Sequence, residues 1–173
     1  MGAEGATNRK PEKRVMTADS TIVLIGVGNE FRTDDGLGPL IAREMRRRGA
    51  EGVLILETSG DGPAMIEKWQ GVAAVLLVDA ICSGAAPGTV HRFDASSKKL
   101  PRRYRFVAES HAFGLAEAIE MSRQLHKLPP TAIVYGIEGE QFETGCGLSD
   151  RVLKSVPELL TLIETDIRRL RTA

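Results

Sequence analysis

The stretch Ala73-Ala-Val-Leu-Leu-Val-Asp79 constrains this chain more than any other. An unbroken apolar run without alternation suits a strand covered on both faces, and such strands belong to parallel sheets packed between helices. The run ends on a carboxylate. In apolar surroundings that group is costly unless it is paired, bound to a metal or solvated in a cleft, so Asp79 is either a strand-end turn residue or part of a site.

The rest of the chain repeats this texture between helical periods. Residues 21–27 read as another strand buried on both faces, and 52–57, 89–94 and 131–137 as further strands. Leu37, Leu40, Ile41 and Met45 recur at helical spacing, with Pro39 tolerable in the first turn. Asp61 before Pro63 caps a short helix reaching Trp69. Residues 110–126 form a helix with Ala112, Leu115, Ala116 and Ile119 on one face, and Leu153, Val156, Leu160, Ile163, Ile167 and Leu170 form a long stripe to the C-terminus. Pro157 predicts a kink or break in that last helix. Only nine residues separate 73–79 from 89–94, too few for a parallel crossover, which predicts an antiparallel pair there. The expected fold is α/β and three-layered, with a mixed, mostly parallel, twisted five-stranded sheet flanked by helices. Residues 21–173 are expected to be a single domain and 1–20, which carry no apolar period, a disordered tail.

With 173 residues the chain is of a size that needs neither disulfides nor a structural metal. Its 23 basic residues balance its 23 acidic ones, which argues against a nucleic-acid partner. Two cysteines, the absence of a signal-like leader and the absence of an apolar run of about 18 residues predict a cytoplasmic protein outside the membrane.

In open α/β sheets, ligands gather beyond the carboxyl ends of the strands. The loop after the first strand reads Gly28-Asn-Glu-Phe-Arg-Thr-Asp34-Asp35-Gly-Leu-Gly38, the third strand ends on Asp79, and Glu138 and Glu140 follow the last strand. One of Asp34 and Asp35 is expected to cap a helix while its neighbour faces the cleft. His111, at the start of a helix, can reach the same rim. Two carboxylates and an imidazole form an O,O,N set suited to a borderline metal such as nickel or zinc. Gly26-Val-Gly28 begins like a dinucleotide fingerprint, but Phe31 stands where its third glycine belongs. His91, mid-strand in an edge strand, reads as a surface residue, and His126 as a helix-end residue. Cys82 and Cys146 read as idle thiols in loops near the rim, with a cysteine nucleophile served by His111 as the alternative. Lys98, Lys99, Arg102, Arg103 and Arg105 form a solvated loop or a docking lip for an acidic partner.

From Ile22 to the C-terminal helix the chain resembles the nickel-iron hydrogenase maturation endopeptidases. The resemblance rests on Gly26-Val-Gly-Asn29, Thr33-Asp-Asp-Gly-Leu-Gly38, Leu76-Leu-Val-Asp-Ala80, Pro87-Gly-Thr-Val90, Ser110-His111 with Gly114-Leu115, Gly136-Ile-Glu138 and Gly147-Leu-Ser149, in that order. It implies an endopeptidase that removes a C-terminal extension from the nickel-loaded precursor of the hydrogenase large subunit. It implies a metal site at Asp35, Asp79 and His111, where Asp35 replaces the glutamate that is frequent in the family. It further implies that nickel arrives on the substrate rather than as a resident cofactor, and that Asp35 and Asp79 serve catalysis by an aspartic-type or a metal-assisted route. The enzyme is expected to be a monomer. Two alternatives remain at this point: a non-catalytic nickel-recognising chaperone, and a peptidyl-tRNA hydrolase of similar topology.

Overall fold

The computed structural model describes residues 21–106 and 113–172. Its strands are β1 (Ile22–Val27), β2 (Val53–Thr58), β3 (Ala74–Cys82), β4 (Val90–Asp94), β5 (Arg105–Phe106) and β6 (Thr131–Glu138), and its helices are α1 (Leu37–Arg47), α2 (Gly62–Trp69), α3 (Leu115–Gln124) and α4 (Asp150–Thr172). The sheet runs β2-β1-β3-β6-β4, with β5 added to the outer end of β3. Pairs β1–β2, β1–β3 and β3–β6 are parallel; β4–β6 and β3–β5 are antiparallel.

The apolar runs become central strands, as expected. All six residues of β1 are buried, and so is β3 up to Ile81. One face of the sheet carries Leu24, Leu76, Val78, Tyr135 and Ile137 against α1 and α4. The other carries Val23, Ile25, Val75, Leu77 and Val134 against α2 and α3. Three layers result, each helix burying one stripe. Trp69 is the largest buried side chain, and its indole N–H donates to Ser122 Oγ at 3.0 Å, so its polar edge costs little. Asp61 caps α2 by accepting from Ala64 N at 3.3 Å.

Several expectations need correction. The sheet has six strands, because a two-residue strand in the basic stretch pairs Ile81 with Phe106 and Cys82 with Arg105. Strand β4 is antiparallel, but its neighbour is β6 rather than β3. The helical crossover through α3 lays β6 directly beside β3, and β4 takes the remaining edge. Helix α4 is unbroken through Pro157. One missing N–H donor costs about 3 kcal/mol in an isolated helix interior, but the buried stripe Val152, Val156, Leu159, Leu160, Ile163 and Ile167 holds this helix to the sheet on both sides of it. The expected tail at 1–20 and His111 lie outside the described residues. Among the described residues no helix is long and apolar enough to cross a membrane.

The order of strands positions the site. From β1 the chain passes through α1 to β2 on one side, then through α2 back to β3 on the other. Such a reversal opens a crevice at the carboxyl ends of the two strands involved. Here those strands are β1 and β3.

Candidate active site

Strand β3 outruns its neighbour. Its pairing with β1 stops at Gly26–Val78, whereas its pairing with β6 continues through Asp79–Gly136 to Ile81–Glu138. Asp79 is therefore not the end of its strand, as expected, but the first residue at which β3 is bare on the β1 side. It remains 1% exposed. Its Oδ1 accepts from the amide of Ala80 at 2.7 Å. Burial, and then the negative charge of Asp35, push its pKa well above the usual carboxylate value, and the Ala80 hydrogen bond offsets only part of this.

The loop that carries Asp35 is folded by close packing. Gly28 has φ of 131°, and a Cβ there would lie 1.9 Å from the Asp35 carbonyl oxygen. A Cβ on Gly38 would lie 2.1 Å from the Val27 carbonyl oxygen. Gly28, part of the stretch that begins like a dinucleotide fingerprint, lets the turn at Asp35 close onto the end of β1, and Gly38 lets the first turn of α1 do the same. Asp35 is 1% exposed, and its Oδ2 accepts from the amide of Asn29 at 3.1 Å.

The adjacent aspartate has a different task. Asp34 is fully buried, and its carboxylate accepts from the amides of Glu140 (2.8 Å), Gln141 (2.9 Å) and Ser149 (2.7 Å) and from the Ser149 hydroxyl (2.9 Å). It thus ties the loop after β1 to the loop between β6 and α4. Neither Asp34 nor Asp35 caps a helix, contrary to expectation: the short 3₁₀ turn Thr33–Gly36 and α1 have no side-chain cap. The same two loops are laced by Thr33 N to Gly145 O (3.0 Å), Gly145 N to Phe31 O (2.9 Å) and Thr33 Oγ1 to Gln141 O (2.7 Å). This lacing holds Thr33 at φ of 45°, a left-handed conformation that is strained for a β-branched residue.

The other rim acids are committed elsewhere. Glu138 accepts from Ser83 N, Ser83 Oγ and Gly84 N at 2.7–2.8 Å, so it braces the turn after β3. Glu140 pairs with Arg151 at 3.1 Å. His91 is not a free surface residue: its side chain is 13% exposed, its Nε2 lies 3.3 Å from Glu138 Oε2, and its ring meets Tyr104 edge-on. His126 is exposed, with φ of 54°, just beyond α3. Both cysteines are free thiols. Burial, and then Glu138, push the Cys82 thiol above its ordinary pKa, the opposite of an activated nucleophile.

One buried acid had no signal in the sequence. Asp166 lies within the apolar stripe of α4 and accepts from Arg92 Nε (2.7 Å) and the Tyr135 hydroxyl (2.6 Å). Burial alone would raise its pKa, but these two hydrogen bonds hold it below the usual value. It locks β4, β6 and α4 together, away from the rim.

Two carboxylates, Asp35 and Asp79, are thus what the crevice offers. They are buried and close enough to repel each other, an arrangement that suits a bound cation or a shared proton. Among the described residues no group of three or more His, Cys, Asp and Glu side chains could hold a metal ion, and the expected third member, His111, lies outside them.

Comparisons with known proteins agree with the fold. The model of a family described as hydrogenase maturation protease matches residues 39–166. The hydrogenase 2 maturation protease of Escherichia coli is 25% identical over 150 residues, covering 85% of this chain and 90% of that protein. Among solved structures, the hydrogenase maturating endopeptidase HybD from E. coli superposes with a TM-score of 0.69 at 22% identity, covering 86% of this chain and 93% of the other. The nickel-iron hydrogenase maturation protease HybD from Thermococcus kodakarensis superposes with a TM-score of 0.66 at 23% identity, covering 85% and 99%.

Proposed function

Because this chain belongs to the hydrogenase maturation protease family, we propose that it removes the C-terminal extension of a nickel-loaded nickel-iron hydrogenase large-subunit precursor, with Asp35 and Asp79 as its working carboxylates. The observation that carries this reading is the state of Asp79: buried where β3 outruns β1, with its pKa raised by burial and by Asp35. A carboxyl held in that way exchanges protons closer to neutral pH, where peptide hydrolysis needs a general base for water and an acid for the leaving amine.

The same pair suits a divalent cation, whose charge offsets the repulsion between the two groups. Nickel carried by the precursor would bring that charge with the substrate, so docking of loaded precursor and completion of the site become one event. His111 is the proposed third ligand, completing the O,O,N set. Catalysis would then proceed by an aspartate acting on water, or by water attack on a carbonyl polarised by the metal. The protein works in the cytoplasm as a single domain spanning 21–173.

The test is incubation of the purified protein with loaded and nickel-free precursor, read by intact mass. Only the loaded precursor should lose its extension, and Asp79→Asn and His111→Ala should fold yet leave it whole. Full processing by either variant removes these residues from the site, and equal trimming of nickel-free precursor removes nickel recognition.

A further inference from the structure

Many of the arginines among the described residues face acids. Arg46, Arg47, Arg48, Arg92, Arg123 and Arg151 each lie within 3.4 Å of a carboxylate oxygen. The segment between β4 and β5 breaks this habit. Residues 95–106 contain Lys98, Lys99, Arg102, Arg103 and Arg105 and no acid. Among the described residues only Lys99 has a carboxylate in reach, Glu120 at 3.8 Å. The other four cations are exposed and have none.

This segment is fixed in place. Arg123 reaches in from α3 and donates to the carbonyls of Ala95, Ser96 and Lys98, holding the start of the segment. Tyr104 N donates to Pro101 O at 2.9 Å and closes a turn, while the Tyr104 ring packs edge-on against His91 and Phe93 of β4. The end of the segment is bound into the sheet by β5, with Arg105 opposite Cys82. Cys82 lies in the same strand as Asp79, three positions on. The segment thus starts beside the N-terminal end of β6, where Ala95 N donates to Ala132 O at 2.8 Å, and runs to the outer end of β3, where Arg105 stands at the edge of the crevice. Like charges on one short segment repel one another, and among the described residues Glu120 beside Lys99 is the one carboxylate set against them.

We infer that this basic lip is a docking surface for an acidic segment of the protein substrate, which it draws toward the crevice between β1 and β3. The inference rests on the proposed protease reading for the identity of the substrate. Rim charges of this kind act mainly on encounter and are screened by salt, so they show in KM and its ionic-strength dependence rather than in the chemical step.

The experiment compares the unaltered chain with the triple variant Lys98→Glu/Arg102→Glu/Arg103→Glu, using nickel-loaded large-subunit precursor at low and high salt. The variant should show KM raised by about tenfold or more at about 50 mM salt with kcat within about twofold, and the salt dependence of the unaltered chain should flatten. An unchanged KM and salt profile would overturn the inference, as would a fall in kcat alone. If the unaltered chain leaves the precursor whole, the protease reading fails, and the lip is then judged by direct binding. Labelled precursor should bind the triple variant about tenfold more weakly, and equal affinity would sink the proposal. A variant whose only loss is binding to duplex DNA would assign the lip to nucleic acid and refute it.

Discussion

Replacing Asp34 by alanine should damage the fold in a way that replacing Asp35 or Asp79 does not. The Asp34 carboxylate takes four hydrogen bonds, three from backbone amides and one from a hydroxyl, and is itself fully buried. Hydrogen bonds to a charged acceptor contribute about 1.5–3 kcal/mol each. The donors lie in an exposed or half-exposed loop and can partly rehydrate, so the sum is smaller than four full bonds, and about 3–4 kcal/mol is expected. For a domain of this size each kcal/mol moves the melting temperature by roughly 2–4 °C, giving a fall of about 10 °C. Urea unfolding followed by far-UV circular dichroism at neutral pH measures it. Ser149→Ala alone should cost about 1 kcal/mol, and close to nothing once Asp34 is gone, because the hydroxyl then has no carboxylate to donate to. A loss below about 1 kcal/mol for Asp34→Ala, or strict additivity with Ser149→Ala, would refute the assignment of Asp34 as the tie between the two loops.

Asp79 should behave in the opposite way. Its folded pKa lies above its unfolded one, so the folded state binds its proton more tightly, and stability declines as pH rises from the unfolded value through the folded one. Asp79→Asn should therefore match or exceed the unaltered chain in urea midpoint at pH 8, with a smaller difference near pH 4; a clear loss at pH 8 contradicts the reading. Asp166 has its pKa lowered, so its contribution is present above the unfolded value and fades as acid takes pH down through the folded one. Asp166→Ala leaves the Tyr135 hydroxyl and Arg92 without their acceptor and should cost about 2–3 kcal/mol at neutral pH, measured by urea unfolding. Gly38→Ala should cost about 1–3 kcal/mol or leave the protein insoluble, since its Cβ would meet backbone oxygen at 2.1 Å; a thermal melt within 2 °C of the unaltered chain argues against the close approach of α1 and β1.

The sequence made the layers and the crevice legible because their signals are periodic. Unbroken apolar runs marked β1, β3 and β6, helical stripes marked α1 and α4, and polar residues after β1 and in β3 pointed to Asp35 and Asp79. What escaped has a common cause: it is decided by tertiary partners that no local pattern encodes. Asp34 and Asp35 are neighbours with the same chemistry, and only Ser149 and the amides of Glu140 and Gln141 distinguish them. Asp166 sits inside an apolar stripe, and its acceptance of Arg92 and Tyr135 becomes visible only when β4, β6 and α4 meet. Strand β5 has two residues and no period to read. Pro157 is a genuine helix breaker outvoted by the packing on either side. The edge position of β4 follows from where the α3 crossover places β6, which loop length alone does not determine.

The lacing between the loop after β1 and the loop before α4 has a consequence for the order in which this enzyme comes into being. Asp34 is separated from its partners by 106, 107 and 115 residues of chain. A ribosome has thus released Asp35 and Asp79 long before it makes the residues that hold their surroundings in shape. A nascent chain halted before Glu140 carries both aspartates without the clasp on Asp34 that holds the loop around the first of them. The surroundings of Asp35 are therefore completed only once Ser149 has been made.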